Sequence, residues 1–232
     1  MSNIEEEYKS FLHDKRVALV GPSASTNFSG NGKTIDSYDV VVRLNRSLPI
    51  DSYKVGDIGR RTEVLYHCFQ TTLGPEKEID EDLWMKCGVK FLCAVTHRDF
   101  HLNAPQDGLK AIKKYKIKWM DHEVFGRLDC HIHGHANAGT LAIQDLLSYS
   151  IKELHIFGID FMRYGYDLDY YRDDPNILEQ VKNGTFIGGH HPDPQYRWFK
   201  NHVYGKDKRV KVEKYFEDML NDPNYDSLYE KV

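Results

Sequence analysis

Six short apolar runs, each bounded by turn-forming residues, constrain the fold more than any other feature of this sequence. The runs cover residues 16–21, 40–45, 63–68, 89–95, 117–120 and 153–159. Helical patterns are predicted near residues 3–13, 76–86, 106–115, 138–149, 193–204 and 213–220. Strands that alternate with helices are typical of a parallel sheet covered by helices. The sequence therefore predicts an α/β protein, a single Rossmann-like domain with a mainly parallel central sheet.

Charge and composition narrow the functions that such a domain can have. The 232 residues carry a formal net charge of −4. Nucleic-acid-binding surfaces need a clear basic excess, so nucleic acid is not an expected partner. No run of 18 apolar residues occurs and the first residues are acidic, so we expect a soluble chain without a transmembrane segment or a leader peptide. The four cysteines show no metal-type spacing, which favours free thiols in the cytoplasm.

The loops that follow the apolar runs are the first places to look for a binding site, because ligands of parallel sheets bind at the carboxyl ends of the strands. Gly21 to Ser25 follow the first run, Asn45 ends the second, and Asp160 to Tyr171 follow the sixth. Asn137 is a good N-cap for the helix that follows, and Gly139 leaves the first turn of that helix bare. Such an N-terminus can hold a phosphate, although a packing glycine behind an ordinary cap explains the same pattern.

Three short motifs have interpretations that we disfavour. Gly30–Asp36 ends like a triphosphate-binding loop, but Asn27 stands where the first glycine is required. His131, His133 and His135 alternate, so on a strand they would face one way and could bind zinc, but no fourth ligand is evident. Asp167 and Asp169 resemble an acidic pair that holds manganese.

The first 62 residues contain the most specific pattern of the sequence. The pattern begins with a strand and a small polar loop. It continues with Ile-Asp-Ser-x-Asp, a strand that ends in Arg-x-Asn, and Asp-x-Gly-x-x-Thr. Their residues are Ile35, Asp36, Ser37, Asp39, Arg43, Asn45, Asp57, Gly59 and Thr62. This order resembles the large sialylmotif of glycosyltransferase family 29, the eukaryotic-type sialyltransferases. Arg43 is expected to support the loops through Asp39 or Asp57 rather than to touch a ligand.

Later segments extend the resemblance over most of residues 16–204. Asn137 to Asp160 is similar to the small sialylmotif, and the run KELHIFGIDF also resembles the bacterial sialyltransferases of family 42. Residues 169–171 resemble a degraded third motif. GGHHPDPQYRWF is similar to the very small motif, in which a histidine is the catalytic base.

Several positions depart from the family pattern. Ala18 and the region of Ser150 hold no cysteine pair, so the disulfide of the family is absent, which fits a cytoplasmic enzyme of microbial or viral type. Ser25 lies near the position of the loop asparagine, and Asp169 lies near that of the third-motif histidine. Gln195 replaces the glutamate that closes the very small motif.

The resemblance implies an inverting glycosyltransferase with a GT-A-like variant of the fold. It would transfer sialic acid or a related keto sugar from CMP-sialic acid or another CMP-sugar to a glycan acceptor, without a cofactor or divalent metal. His190 is the expected base and His191 the alternate. The implied donor-binding residues are Gly21, Ser23, Ser25, Asn45, Asn137, Ala138, Gly139, Gly158 and Asp160. The implied phosphate-stabilising residues are Tyr164, Tyr166, Asp169, Tyr170 and Tyr171.

The resemblance also divides the predicted domain, residues 1–232, into functional parts. An N-terminal helix (1–14) is followed by the donor-nucleotide half (16–68) and by a probable acceptor side (69–135). The donor and catalytic region covers 136–204, and a C-terminal tail covers 205–232.

Two other functions fit the same residues. The altered motif positions are compatible with an inactive nucleotide- or glycan-binding module. A Rossmann-type oxidoreductase is the third hypothesis, but Pro22 and Ser23 follow Gly21 where a dinucleotide-binding loop needs Gly-x-Gly-x-x-Gly.

Overall fold

The fold is a seven-stranded parallel sheet with helices packed against it. The computed structural model describes residues 3–69, 79–95, 107–132, 136–171, 175–183 and 190–223. The strands are β1 (Arg16–Val20), β2 (Val40–Leu44), β3 (Val64–His67), β4 (Phe91–Ala94), β5 (Ile117–Lys118), β6 (Glu153–Phe157) and β7 (Val210–Val212). Their order is β5-β4-β3-β2-β1-β6-β7, and every adjacent pair is parallel. The predicted fold class and the six predicted strands are confirmed, whereas β7 was not predicted.

The helices agree with the sequence patterns in most places. Those in the described ranges are α1 (Ile4–Leu12), α2 (Gly32–Asp36), α3 (Val55–Ile58), α4 (Glu81–Lys86), α5 (His122–Ile132), α6 (Ala138–Leu147), α7 (Pro175–Lys182), α8 (Pro192–Trp198) and α9 (Lys214–Asn221). A π-helical turn, Phe199–Val203, extends α8. The helix predicted over 106–115 was wrong, because Asp107–Ala111 forms a 3-10 turn.

Two motif interpretations change with these assignments. Gly32 to Asp36 form α2, the approach to β2, rather than a phosphate-binding loop. His131 lies in α5, so the proposed strand of alternating histidines was wrong at this residue. His133 and His135 lie outside the described residues.

The strand order places a switch point at β1. The chain proceeds from β1 through β2, β3 and β4 to β5 on one side, then returns to add β6 and β7 on the other. Connections that leave β1 and β6 therefore run in opposite directions and create a crevice at the carboxyl edge. Within the described ranges, no helix combines the length and apolar character needed to span a bilayer.

One buried network of charged and hydroxyl groups joins α1, β3, β5 and α6 in the core. The Lys118 Nζ lies 2.7 and 2.6 Å from the two carboxylate oxygens of Asp145. The Tyr66 hydroxyl donates to Asp145 at 2.5 Å and lies 3.1 Å from the Tyr8 hydroxyl. All four side chains are buried. Buried charges are tolerated when they are paired and hydrogen-bonded, and this network meets both conditions.

Candidate active site

A shallow cleft opens at the carboxyl ends of β1 and β2. Gly21 and Pro22 of the β1 loop contribute to its lining. The connection after β2 and the connection after β6 supply other lining residues. Those residues include Arg46, Ser47, Ile50, Asp51, Lys54, Asp167, Asp169 and Tyr170. The cleft therefore lies at the carboxyl edge of the sheet, beside β1 and β2 rather than between β1 and β6, and the connection after β6 forms part of its wall.

Backbone hydrogen bonds join the loops that follow β1 and β6. Gly21 N donates to Phe157 O at 2.8 Å, and Ser23 N donates to Gly158 O at 3.0 Å. Asp167 N donates to Pro22 O at 2.8 Å. The predicted donor residues Gly21, Ser23 and Gly158 are thus brought together, and much of the crevice between β1 and β6 is filled by the loops themselves.

Glycine is required where these loops cross. Gly158 has φ +62°, and a Cβ there would lie 2.5 Å from Thr26 Cγ2 and 2.8 Å from Gly21 O. At Gly21, a Cβ would lie 2.5 Å from Gly158 O. The Gly158 oxygen cannot move without breaking its hydrogen bond from Ser23 N, so both glycines set the separation of the two loops.

We expect Gly158→Ala to destabilise the protein by about 2–4 kcal/mol, because it adds left-handed strain to a backbone clash. Urea denaturation measures the change. Gly126→Ala is the matched control. Gly126 lies in α5 with open space around it, and alanine there is expected to stabilise by about 0.5–1 kcal/mol. Equal effects of the two changes would contradict this account.

Ser23, Ser25 and Asp160 meet in one hydrogen-bond network. Ser23 Oγ donates to Asp160 Oδ2 at 2.7 Å, and Ser25 Oγ donates to Ser23 Oγ at 3.0 Å. The Tyr215 hydroxyl lies 2.5 Å from Ser25 Oγ. Burial raises the pKa of the Asp160 carboxyl, which Ser23 and Tyr215 partly offset by hydrogen bonding. The side chains of these predicted donor residues are engaged with one another and with the start of α9.

Glu213 binds the backbone at Gly158, where the loops after β1 and β6 meet. Its carboxylate accepts from Gly158 N at 2.7 Å and from Asn31 Nδ2 at 2.9 Å. Burial raises the pKa of Glu213, and the nearby Asp160 raises it further. Neither Glu213 nor Tyr215 was predicted, because both belong to the segment beyond the motifs.

Asn45 ends β2 in a left-handed conformation, with φ +47°. Its backbone N donates to Tyr66 O at 2.7 Å, and its Oδ1 accepts from Cys68 N at 3.0 Å. The side-chain oxygen therefore ties β2 to the end of β3. The Nδ2 donor and the second lone pair of Oδ1 remain for a nucleotide contact.

Arg43 supports the loops, as expected, but through different partners. Its Nε donates to Thr62 Oγ1 at 3.0 Å and to Arg61 O at 3.1 Å, and its Nη2 donates to Ile58 O at 2.6 Å. The expected partners Asp39 and Asp57 bind elsewhere. Burial lowers the pKa of Arg43 to about 10, so it remains a cation at neutral pH.

The N-terminus of α6 docks against α8. Asn137 caps α6, since its Oδ1 accepts from Thr140 N at 2.9 Å, which confirms the predicted cap. Gln195 Oε1 accepts from Asn137 N at 2.9 Å and from Thr140 Oγ1 at 2.7 Å. A Cβ on Gly139 would lie 3.3 Å from Ile159, so this glycine packs against the β6 loop. Ala138 is the first residue of α6.

The histidine pair directly precedes α8. This helix begins at Pro192 with His191 as the N-cap residue, so the predicted start at Asp193 was late by one residue. Gln195 Nε2 donates to His191 O at 2.9 Å. Asp193 forms a 2.6 Å ion pair with Arg163 of the β6 loop. The His191 backbone is therefore linked to the N-terminus of α6 through Gln195, and the first turn of α8 is linked to the β6 loop through Arg163; neither anchor was predicted.

The predicted phosphate-stabilising residues divide into separate groups. Tyr170 lines the cleft and stacks on Tyr166, with ring centroids 6.1 Å apart. Tyr164 is exposed and packs edge-on against Tyr215 at 5.9 Å. Tyr171 ends the 3-10 turn Leu168–Tyr171.

Asp167 and Asp169 hold a lysine across the mouth of the cleft. The Lys54 Nζ pairs with Asp167 and lies 3.1 Å from Asp169 Oδ2. The Tyr53 hydroxyl donates to Asp169 at 2.7 Å. An ammonium group thus lies between the two carboxylates that resembled a manganese pair. Across the described ranges, no cluster of three or more metal-ligating side chains occurs.

The comparisons with known proteins give one family match and several structures of the same fold. Residues 4–106 match the model of glycosyltransferase family 29 (sialyltransferase). No curated relative matches the sequence. The crystal structure of a mammalian sialyltransferase aligns with a TM-score of 0.54 and 17% identity, covering 92% of this chain and 79% of that chain.

Two further solved structures have the same fold. A mammalian sialyltransferase in complex with Gal-beta-1-3GalNAc-ortho-nitrophenol aligns with a TM-score of 0.52 and 19% identity, covering 89% of this chain and 71% of that one. A variant of the sialyltransferase CST-II in complex with CMP aligns with a TM-score of 0.50 and 16% identity, covering 80% of this chain and 77% of that one. CstII comes from Campylobacter jejuni. The resemblance to sialyltransferases that the motifs predicted is confirmed.

Proposed function

We propose that this protein is an inverting glycosyltransferase that moves sialic acid or a related keto sugar from a CMP-sugar to a hydroxyl of a glycan. The family match over residues 4–106 and the shared fold support the class of enzyme. One observation carries the proposal. The β1 loop, the N-terminus of α6 and the backbone of His191, which is adjacent to His190 in the sequence, form a continuous chain of contacts at one edge of the sheet.

That chain of contacts has three steps. Gly21 lies against Gly158 and Ile159 of the β6 loop. Ile159 lies against Gly139 in the first turn of α6. Asn137 at the start of α6 is bonded to Gln195, which also holds the His191 carbonyl. A nucleotide at the cleft and a histidine base would therefore share one rigid framework, as positioned catalysis requires.

Departure of CMP leaves negative charge on a phosphate monoester. Hydrogen-bond donors stabilise such charge, and each well-placed donor lowers the barrier by about 2–4 kcal/mol. The candidates are the Tyr170 hydroxyl in the cleft, the hydroxyls of Tyr164, Tyr166 and Tyr171, and the backbone N–H groups of Ala138 and Gly139. Lys54 between Asp167 and Asp169 supports a mechanism without a divalent metal, because an ammonium group already lies between those two carboxylates.

The acceptor hydroxyl needs a base near neutral pH, and histidine is the usual choice. We assign His190 as this base, with His191 as the alternate. As the imidazole takes the hydroxyl proton, the acceptor oxygen forms a bond to the anomeric carbon. The bond from that carbon to the phosphate oxygen breaks, and CMP leaves from the opposite face. The anomeric configuration is therefore inverted.

The function is tested with defined donors and acceptors. The protein is incubated with CMP-sialic acid or CMP-Kdo and a panel of glycans, and CMP release and product mass are measured. We expect acceptor-dependent release, and calorimetric binding of CMP but not of GMP. If no CMP-sugar releases CMP and CMP does not bind, the proposal is wrong.

An inactive binding module is the second candidate. Asp169 replaces the third-motif histidine and is engaged by Lys54 and Tyr53. Gln195 replaces a glutamate and serves as a structural bridge between α6 and α8. Tight CMP binding without turnover of any donor would favour this candidate over the enzyme.

A further inference from the structure

Three exposed apolar side chains lie in the connections that line the cleft. In the described part of the chain, Phe28 is 98% exposed, Tyr53 63% and Leu168 47%. Each of the three is close in sequence to a residue that lines the cleft. Phe28 is two residues from Thr26, Tyr53 is next to Lys54, and Leu168 is next to Asp167. Single exposed apolar residues are common, but a group around one cleft indicates a binding surface. We call Phe28, Tyr53 and Leu168 the apolar rim.

Phe28 is held outward at a cost in free energy. Its φ of +61° is a left-handed conformation that bulky residues avoid. The Asp57 carboxylate accepts from Phe28 N at 3.0 Å and from Gly30 N at 2.9 Å, and Ser29 Oγ donates to Asp57 O at 3.2 Å. A fixed, strained backbone that presents an aromatic ring to solvent is a feature of functional sites.

The other two members of the rim are tied to the same framework. Tyr53 directly precedes Lys54 and lies four residues before Asp57, the residue that holds Phe28. The Tyr53 hydroxyl donates to Asp169, the neighbour of Leu168. Lys54 pairs with Asp167 and Asp169 on either side of Leu168. The connections after β1, β2 and β6 therefore carry the rim as one unit.

We propose that the apolar rim is the acceptor subsite and that it binds a sugar ring of a neutral glycan. The inference rests on the proposed function, since an acceptor must lie beside the donor cleft. Sugar rings present an apolar C–H face that packs on exposed rings such as Phe28 and Tyr53. Their hydroxyl groups need acceptors, and carboxylates lie beside the rim at Asp51, Asp57 and Asp169.

The charge of this surface favours a neutral ligand. Asp51, Asp57 and Asp169 are acidic, and Lys54 is already paired with two carboxylates. Beside the rim these carboxylates oppose an anionic membrane surface and also a glycan that already carries a sialic acid, whereas Arg43 and Arg46 in the cleft lining supply positive charge for the anionic donor. The class of acceptor that fits the rim is therefore an uncharged oligosaccharide.

Binding is measured by ligand-observed NMR on the full chain, with and without saturating CMP. The probes are N-acetyllactosamine, lactose and 3′-sialyllactose. We expect the neutral glycans to bind more tightly than the sialylated one. Phe28→Asn removes the ring but tolerates the left-handed backbone, and it should weaken neutral-glycan binding by about tenfold. Phe28→Tyr keeps the ring and should restore binding.

Two controls separate the outcomes. Met85→Ala removes an exposed apolar side chain on α4, outside the cleft lining, and should leave glycan binding unchanged. Calorimetry with CMP reads the donor site independently. If no neutral glycan binds the wild type, or if Phe28→Asn binds as the wild type does, the apolar rim is not the acceptor subsite. Failure of CMP to bind would instead overturn the proposed function. Phe28→Gly repeats the test if Phe28→Asn does not fold.

Discussion

Replacing Lys118 with methionine is expected to destabilise the fold by about 3–5 kcal/mol. Lys118 and Asp145 are both fully buried, and the Lys118 Nζ reaches both carboxylate oxygens within 2.7 Å. Methionine fills similar space, so the main change is the loss of the positive charge. Asp145 would then remain as a buried carboxylate that keeps only the Tyr66 hydroxyl as a hydrogen-bond donor within this network. Chemical denaturation measures the loss.

An exposed lysine of the same chain provides the control. Lys114 pairs with Asp82 at 2.5 Å on the surface, and Lys114→Met should leave the stability nearly unchanged, because exposed ion pairs contribute little. The double variant Lys118→Met with Asp145→Leu should recover most of the lost stability, because an apolar pair can replace a buried ion pair. Equal stability of Lys118→Met and the wild type would show that Asp145 does not depend on the ammonium.

Replacing His190 with alanine is expected to lower the rate of sugar transfer by about 10²–10⁴-fold, the usual contribution of a general base. CMP affinity should not change, because the base acts on the acceptor. The two anchors on the adjoining helix, Gln195 to His191 O and Arg163 to Asp193, remain in place. The variant is therefore expected to fold. Initial rates of CMP release at saturating donor measure the effect.

Two histidines serve as comparisons. His191→Ala should retain most of the activity, and the reverse result would move the base to His191. His202 is exposed on the π-helical turn that follows α8, with its ring 4.5 Å from that of His131, and it lies outside the Gly-His segment in which the base is expected. His202→Ala should be fully active. Full activity of both His190→Ala and His191→Ala would remove histidine catalysis from the mechanism.

The strands could be predicted because their apolar runs are continuous. All five residues of β2 are buried, as expected for a central parallel strand. β7 was missed because Val210–Val212 is only three residues long and alternates a lysine with valines at the sheet edge. α5 has a helical signal that the alternating histidines obscured. Val124, Leu128 and Ile132 recur every four residues and are all buried.

The site loops could be predicted, but the partners of their side chains could not. The large-motif residues Asp36, Asp57 and Arg43 bind backbone groups of neighbouring loops. Ser25 meets Tyr215 across 190 residues, and Asn31 meets Glu213 across 182. Pairings at such separations leave no local periodicity, so Tyr215, Glu213 and Lys54 emerged only from the structure. The positions of the predicted loops follow from the strand order, which local patterns do specify.

Hydrogen exchange with and without CMP tests the central claim, that the nucleotide binds where the connections after β1, β2 and β6 meet. Amide protection is compared by mass spectrometry on the full chain at saturating CMP. We predict that CMP slows exchange in peptides that cover Gly21 to Thr26, Asn45 to Lys54 and Gly158 to Tyr170. The buried network around Lys118 serves as the internal reference and should not change. Protection confined to other segments, or none at saturating CMP, would contradict the account.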